Sequence, residues 1–168
     1  MDNVRGLKSI ANFKQDFPFG KTTREEGQRY LRWLEKRLVV ADDIRRFVDL
    51  NDAVGNPRKE SMLLYNNIIT CSPTSIYYIY RAITILDDLA SKKEIIEYDC
   101  GYGGLYLAIN FFAHILNISI QKYYMINTEN VNDLISIYIH IVFKLHIPFV
   151  LQSTIDVSPH QYVISKHL

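Results

Sequence analysis

Apolar positions recur at helical spacing through the first half of the chain, then give way to short apolar runs separated by turn residues. Thr23-Arg24-Glu25-Glu26 has the form of a capping box, in which the Thr23 hydroxyl accepts from the Glu26 amide and the Glu26 carboxylate reaches back. Leu31, Leu34 and Leu38 follow on one helical face, which Tyr30 and Trp33 broaden. A second short helix is predicted over 41–50. Asn51-Asp52-Ala53-Val54-Gly55-Asn56-Pro57 is then a concentrated turn signal. Ser72-Pro73 reads as an N-cap followed by proline at the first helical position. Ile76, Ile79, Tyr80, Ile83 and Leu86 hold helical spacing behind it to about Ala90.

From Glu94 the pattern changes. Glu94-Ile95-Ile96-Glu97-Tyr98 predicts a short buried strand that runs into Asp99-Cys100-Gly101-Tyr102-Gly103-Gly104. A helix follows with Leu105, Ala108, Phe112 and Ile115 on one side. Further strands are predicted over 120–126, 147–151 and 161–165. Residues 131–145 fit both an alternating strand and a helix, and their length favours the helix. Strand, glycine loop, helix, strand, helix, strand is the order of an α/β chain with a parallel sheet of about four strands. The polar segment ahead of it, with 13 Lys/Arg and 10 Asp/Glu in residues 1–60, reads as a helical cap or flank.

Composition narrows the partners. Nineteen Lys/Arg against 18 Asp/Glu in 168 residues leave a net charge of +1, which gives no electrostatic case for nucleic acid. Arg45-Arg46 and Arg58-Lys59 are short pairs rather than a basic stripe. Residues 1–20 lack the apolar core of a secretory leader, and no apolar run reaches the roughly 18 residues of a spanning helix. The two cysteines form no disulfide framework, so a reducing, cytoplasmic location and no membrane partner are expected. None of the five histidines sits in a local metal-ligand spacing, and no metal is expected.

The glycine loop carries the candidate chemistry. Glycines let the chain bend tightly and let a ligand approach the main chain, and the helix amino terminus adds amide donors and positive potential. Glu97 ends the strand before the loop, and Asn127 ends the next strand, where a polar residue faces ribose hydroxyls in nucleotide sites. The loop departs from the G-x-G-x-x-G spacing, which weighs against a nicotinamide cofactor.

Three blocks in this region resemble the sugar O-methyltransferases, a family of class I S-adenosylmethionine-dependent enzymes. Asn51 to Pro57 is similar to that family's N-D-x-x-G-N-P. Ser72-Pro73-Thr74-Ser75-Ile76-Tyr77-Tyr78-Ile79 resembles S-P-T-T-L-R-Y-I, and Ile96 to Gly104 resembles V-E-I-G-x-G-Y-G-G. Tyr123-Tyr124-Met125-Ile126-Asn127 is more weakly similar to Y-x-I-I-D. The resemblance implies a helical segment over 1–71 and an incomplete Rossmann-like methyltransferase domain over 72–168. It implies S-adenosylmethionine as cofactor, held by Glu97, Asp99, Cys100, Gly101, Tyr102, Gly103, Gly104 and Asn127. It also implies a sugar hydroxyl as acceptor, with Ser72 and Thr74 near the substrate by analogy. No catalytic base is named by it.

The chain departs from the family pattern in three places. Asp99 stands where the first loop glycine is expected, Asn127 where an acid is expected and Tyr77 where an arginine is expected. Only about four of the seven strands of such a domain can be counted, so an outer strand edge is left that a homo-oligomer could cover. These departures keep a second reading open: a methyltransferase-fold module that binds or scaffolds without turnover.

Overall fold

The computed structural model describes residues 22–126, 139, 145–152, 154 and 157–164. Its chain divides into two compact units, Met1–Tyr80 and Arg81–Leu168.

In the first unit, helix α1 (Arg24–Lys36) starts at the predicted capping box. Thr23 Oγ1 accepts from the Glu26 amide at 3.2 Å, and Glu26 Oε2 accepts from the Thr23 amide at 2.8 Å. Leu31 and Leu34 are fully buried, but Leu38 leaves their face. The helix ends at Lys36, Leu38 takes a φ of 57°, and it is 80% exposed. Helix α2 (Ala41–Asp52) runs two residues past its predicted end, because Asn51 and Asp52 turn inward and bury their side chains.

Strands β1 (Glu60–Leu64) and β2 (Asn67–Cys71) form an antiparallel hairpin that the sequence reading did not anticipate. Tyr65 and Asn66 both adopt positive φ, as a two-residue hairpin turn that follows the strand twist requires. Met62, Leu64, Ile69 and Cys71 fill its buried face. Helix α1 approaches β1 closely at Gly27, where a Cβ would lie 2.7 Å from Met62 Sδ and 3.0 Å from Pro73 Cβ. Helix α3 (Pro73–Asp88) then runs across the division between the units.

The second unit holds a four-stranded, all-parallel sheet. Its strands are β3 (Glu94–Tyr98), β4 (Lys122–Ile126), β5 (Phe149–Gln152) and β6 (Gln161–Ile164), in the order β5-β4-β3-β6. Helix α4 (Gly104–Ile115) joins β3 to β4. The result is an α/β unit with a Rossmann-like core, as expected. Ile95 and Ile96 in the inner strand β3 are fully buried, which suits a parallel strand whose two faces are both covered.

Tyr106 ties α4 to the sheet. Its ring meets Tyr123 on β4 at 5.1 Å and Phe149 on β5 at 5.2 Å, and its hydroxyl donates to the Ile147 carbonyl at 2.6 Å. Asn110 Oδ1 accepts from the amides of His146 and Ile147, which fixes the chain entering β5. Gln161 bonds Glu94 from β6 at 2.8 Å. The helix expected over 131–145 lies, Ile139 and Leu145 apart, outside the described residues. No helix among the described residues is long and apolar enough to cross a membrane.

Candidate functional site

In the second unit, the strand order reverses between β3 and β6: the chain moves outward through β4 and β5, then returns to the other side of β3. In open parallel sheets, ligands bind in the crevice at the carboxyl ends of strands beside such a reversal. The loop Asp99–Gly103 leaves β3 at that point.

The loop bends through three residues of positive φ: Asp99 at 53°, Gly101 at 59° and Gly103 at 84°. Gly103 is the N-cap of α4, and no side chain caps this end among the described residues. The first-turn amides of Gly104 and Leu105 have no intrahelical acceptor, which is the ordinary state of a helix start. The Gly103 amide bonds the Cys100 carbonyl at 3.0 Å, and the Asp99 amide bonds Ile126 at 3.0 Å, so the bend is pinned to β4. Cys100, Gly101, Tyr102, Gly103 and Gly104 are buried, and Asp99 is exposed.

Asp99 is the expected departure made concrete. Its position demands the left-handed backbone that glycine adopts freely and that costs other residues about 1 kcal/mol. Aspartate bears this better than most side chains, and the bend forms with it in place.

Glu97 is buried and its Oε2 accepts from the Tyr123 hydroxyl at 2.8 Å. Tyr123 was missed by sequence reasoning. It lies on β4 opposite Ile95, two residues before the partner of Glu97, so both side chains share one sheet face. The alternation Tyr123, Met125 against Ile95, Glu97 holds that signal, but only once the register is known. Burial pushes the Tyr123 hydroxyl well above its usual range, and the neighbouring Glu97 carboxylate adds to the shift. Tyr123 therefore serves as a lasting donor to Glu97. Asn127, expected on the ribose, lies outside the described residues.

The other two motif blocks come together in the first unit. Asp52 accepts from the Ser72 amide through Oδ2 at 2.7 Å and from the Ser75 hydroxyl through Oδ1. Asn51 Nδ2 donates to Ser75 Oγ at 2.7 Å. All four residues are buried. Ser72 is thus held in a polar network that anchors the start of α3, while Thr74 is half-buried. Cys71 beside it has its thiol pushed up to about 12, by burial first and then by Asp52.

Among the described residues no cluster of three or more His, Cys, Asp or Glu could hold a metal. An unexpected histidine arrangement is His114 against His146, with rings parallel and centroids 3.8 Å apart. No family model, no curated protein and no solved structure matches the chain significantly.

Proposed function

We propose that this chain is a relative of the sugar O-methyltransferases that holds S-adenosylmethionine at the bend between β3 and α4 and directs methyl transfer to a sugar hydroxyl. The observation that carries the reading is the position of the bend, beside the reversal of strand order and ending in a helix start N-capped by Gly103. Gly101 and Gly103 supply main chain without a side chain in the way, and the α4 start supplies amide donors to an anionic group such as a carboxylate. Those features fit the cofactor. Glu97 would meet its polar edge with the Tyr123 bond holding the carboxylate in one orientation, and Asp99, Cys100, Tyr102 and Gly104 complete the loop.

S-adenosylmethionine, when bound, supplies a methyl group on a sulfonium. The chain's own task is to hold the acceptor oxygen in line with that methyl and to accept the hydroxyl proton. The resemblance assigns Asn127 to the ribose and Ser72 and Thr74 to the acceptor. Two buried free thiols suit a reducing compartment, the cytoplasm.

Two observations favour a second reading, a non-catalytic binding module. Asp99 places a carboxylate where the family has glycine, and Glu97 already has the Tyr123 hydroxyl as a partner. Calorimetry with S-adenosylmethionine and S-adenosylhomocysteine separates the two. The methyltransferase reading expects saturable heat that Gly101→Val abolishes and Asp99→Gly strengthens. No heat at millimolar ligand from either the parent or Asp99→Gly overturns it and leaves the module.

A further inference from the structure

The hairpin of the first unit has two edges, and the chain treats them differently. The outer edge of β1 is filled by side chains of α1. Gln28 acts as a fork on Leu63: its Oε1 accepts from the Leu63 amide at 2.8 Å and its Nε2 donates to the Leu63 carbonyl at 2.9 Å. Arg24 Nε donates to the Ser61 carbonyl at 2.9 Å, and Glu35 accepts from the Tyr65 amide. Helix α1 therefore stands in for a third strand.

Those bonds fix which way β2 points. Leu63 directs both backbone polar groups to Gln28, so its antiparallel partner Ile68 also turns its N–H and C=O away from the hairpin. Ser61, bonded to Arg24, does the same for its partner Thr70. Among the described residues nothing bonds the outward N–H and C=O groups of Ile68 and Thr70. Ile68 is 73% exposed and its cross-strand neighbour Leu63 is 50% exposed, so an apolar pair lies beside the open edge. Protein edges of this kind are usually guarded by lysine, proline or a covering element. Here no Asp, Glu, Lys, Arg or His occurs anywhere from Ser61 to Tyr80.

We propose that the outer edge of β2 is the docking surface for a second copy of this chain, paired antiparallel about a two-fold axis at Ile69. Three features favour a second copy over an unrelated peptide. Ile69 is the midpoint of β2, so the two-fold places Ile68 opposite the partner's Thr70 and Thr70 opposite the partner's Ile68. Both are outward-facing residues, and all their edge groups close into hydrogen bonds in that register and not in one shifted by a residue. Identical surfaces carry identical charges, so self-association needs a patch without them, and this stretch has none. The two hairpins would then form one four-stranded sheet with Ile68 and Leu63 of each copy along one face. A five-residue edge offers far less than the roughly 800 Å² per partner of a standard interface, so the dimer is weak and reversible.

Sedimentation velocity of the full chain from micromolar to millimolar concentration tests this. The parent should shift from monomer to dimer with concentration, and Ile68→Lys should stay monomeric with an unchanged circular dichroism spectrum, since the side chain is exposed. A register test stands apart from that variant. Mixing an Ile68→Cys chain with a Thr70→Cys chain under mild oxidation should give a covalent dimer, because directly opposite Cα atoms lie about 5.5 Å apart, within disulfide reach. Ile68→Cys alone should give none. A parent that stays monomeric at millimolar concentration, an Ile68→Lys variant that dimerises like the parent, or crosslinking that is equal in every combination overturns the proposal.

Discussion

The three sequence blocks that resemble one family end up in two regions, one built on buried side-chain hydrogen bonds and the other on a backbone bend. In the first unit, Asn51, Asp52, Ser72 and Ser75 close on each other, and the Asp52 carboxylate receives two donors in a buried site. In the second unit, the Asp99–Gly103 loop bends through positive φ and presents a helix start that no described side chain caps. The first arrangement uses its polar groups to fix the chain. The second is held by main-chain bonds, from the Gly103 amide to Cys100 and from the Asp99 amide to Ile126. Asn51, Asp52, Ser72 and Ser75 anchor the start of α3, whereas the glycine block forms a bend beside the reversal of strand order.

The two regions share one piece of electrostatics, and it gives the largest expected effect. Each keeps an acid protonated by burial beside a carboxylate: Cys71 next to Asp52, and Tyr123 next to Glu97. Both acids are raised in the fold, so the stability they hold is complete below their ordinary pKa and is lost as pH rises towards the folded values. For Cys71 the window runs from pH 9.0 to about 12, and it is worth as much as about 4 kcal/mol. Urea unfolding at stepped alkaline pH should show stability falling above pH 9, and Cys71→Ala should remove the first part of the slope. A flat profile would mean that neither acid is shut away.

Asp52→Ala should come next, at about 3 kcal/mol, because it leaves the Ser72 amide and the Ser75 hydroxyl buried without their acceptor. Chemical denaturation measures it. A loss under about 1 kcal/mol would mean that the network is not closed, and the contrast with the loop would collapse.

The bend should respond less in stability. Gly103→Ala forces a Cβ onto a backbone at φ 84° and should cost about 1–2 kcal/mol. Asp99→Gly should change stability by less than about 0.5 kcal/mol. The strain relieved at φ 53° is offset by the extra freedom glycine gives the unfolded chain. A thermal melt of both variants sharpens the comparison, since glycine and aspartate differ there in cost rather than in bend.

Much of the fold was legible from the chain. The Thr23–Glu26 capping box, the strand at Glu94–Tyr98, the glycine bend and the helix behind it all appear within a residue or two of their expected places. The hairpin was not legible, since Leu63-Leu64-Tyr65-Asn66-Asn67-Ile68 has neither the Asn-Gly pair nor the clean alternation that announce one. Within the candidate site, the loop residues were foreseen, but Tyr123 was not. Its role depends on the register that brings it to Glu97, 26 residues away in the chain.

What the sequence determined by itself is what short-range physics controls: capping, helical spacing, the glycine bend and the succession of α and β elements. The tertiary structure alone decided the strand order β5-β4-β3-β6, the seating of Asp52 under Ser72 and Ser75, the Tyr123 bond to Glu97 and the difference between the two hairpin edges. The physical reason is reach. A cap or a turn is settled by neighbours within a few positions, whereas a buried carboxylate must find donors 20 or more residues away, and only the packed chain says which ones arrive.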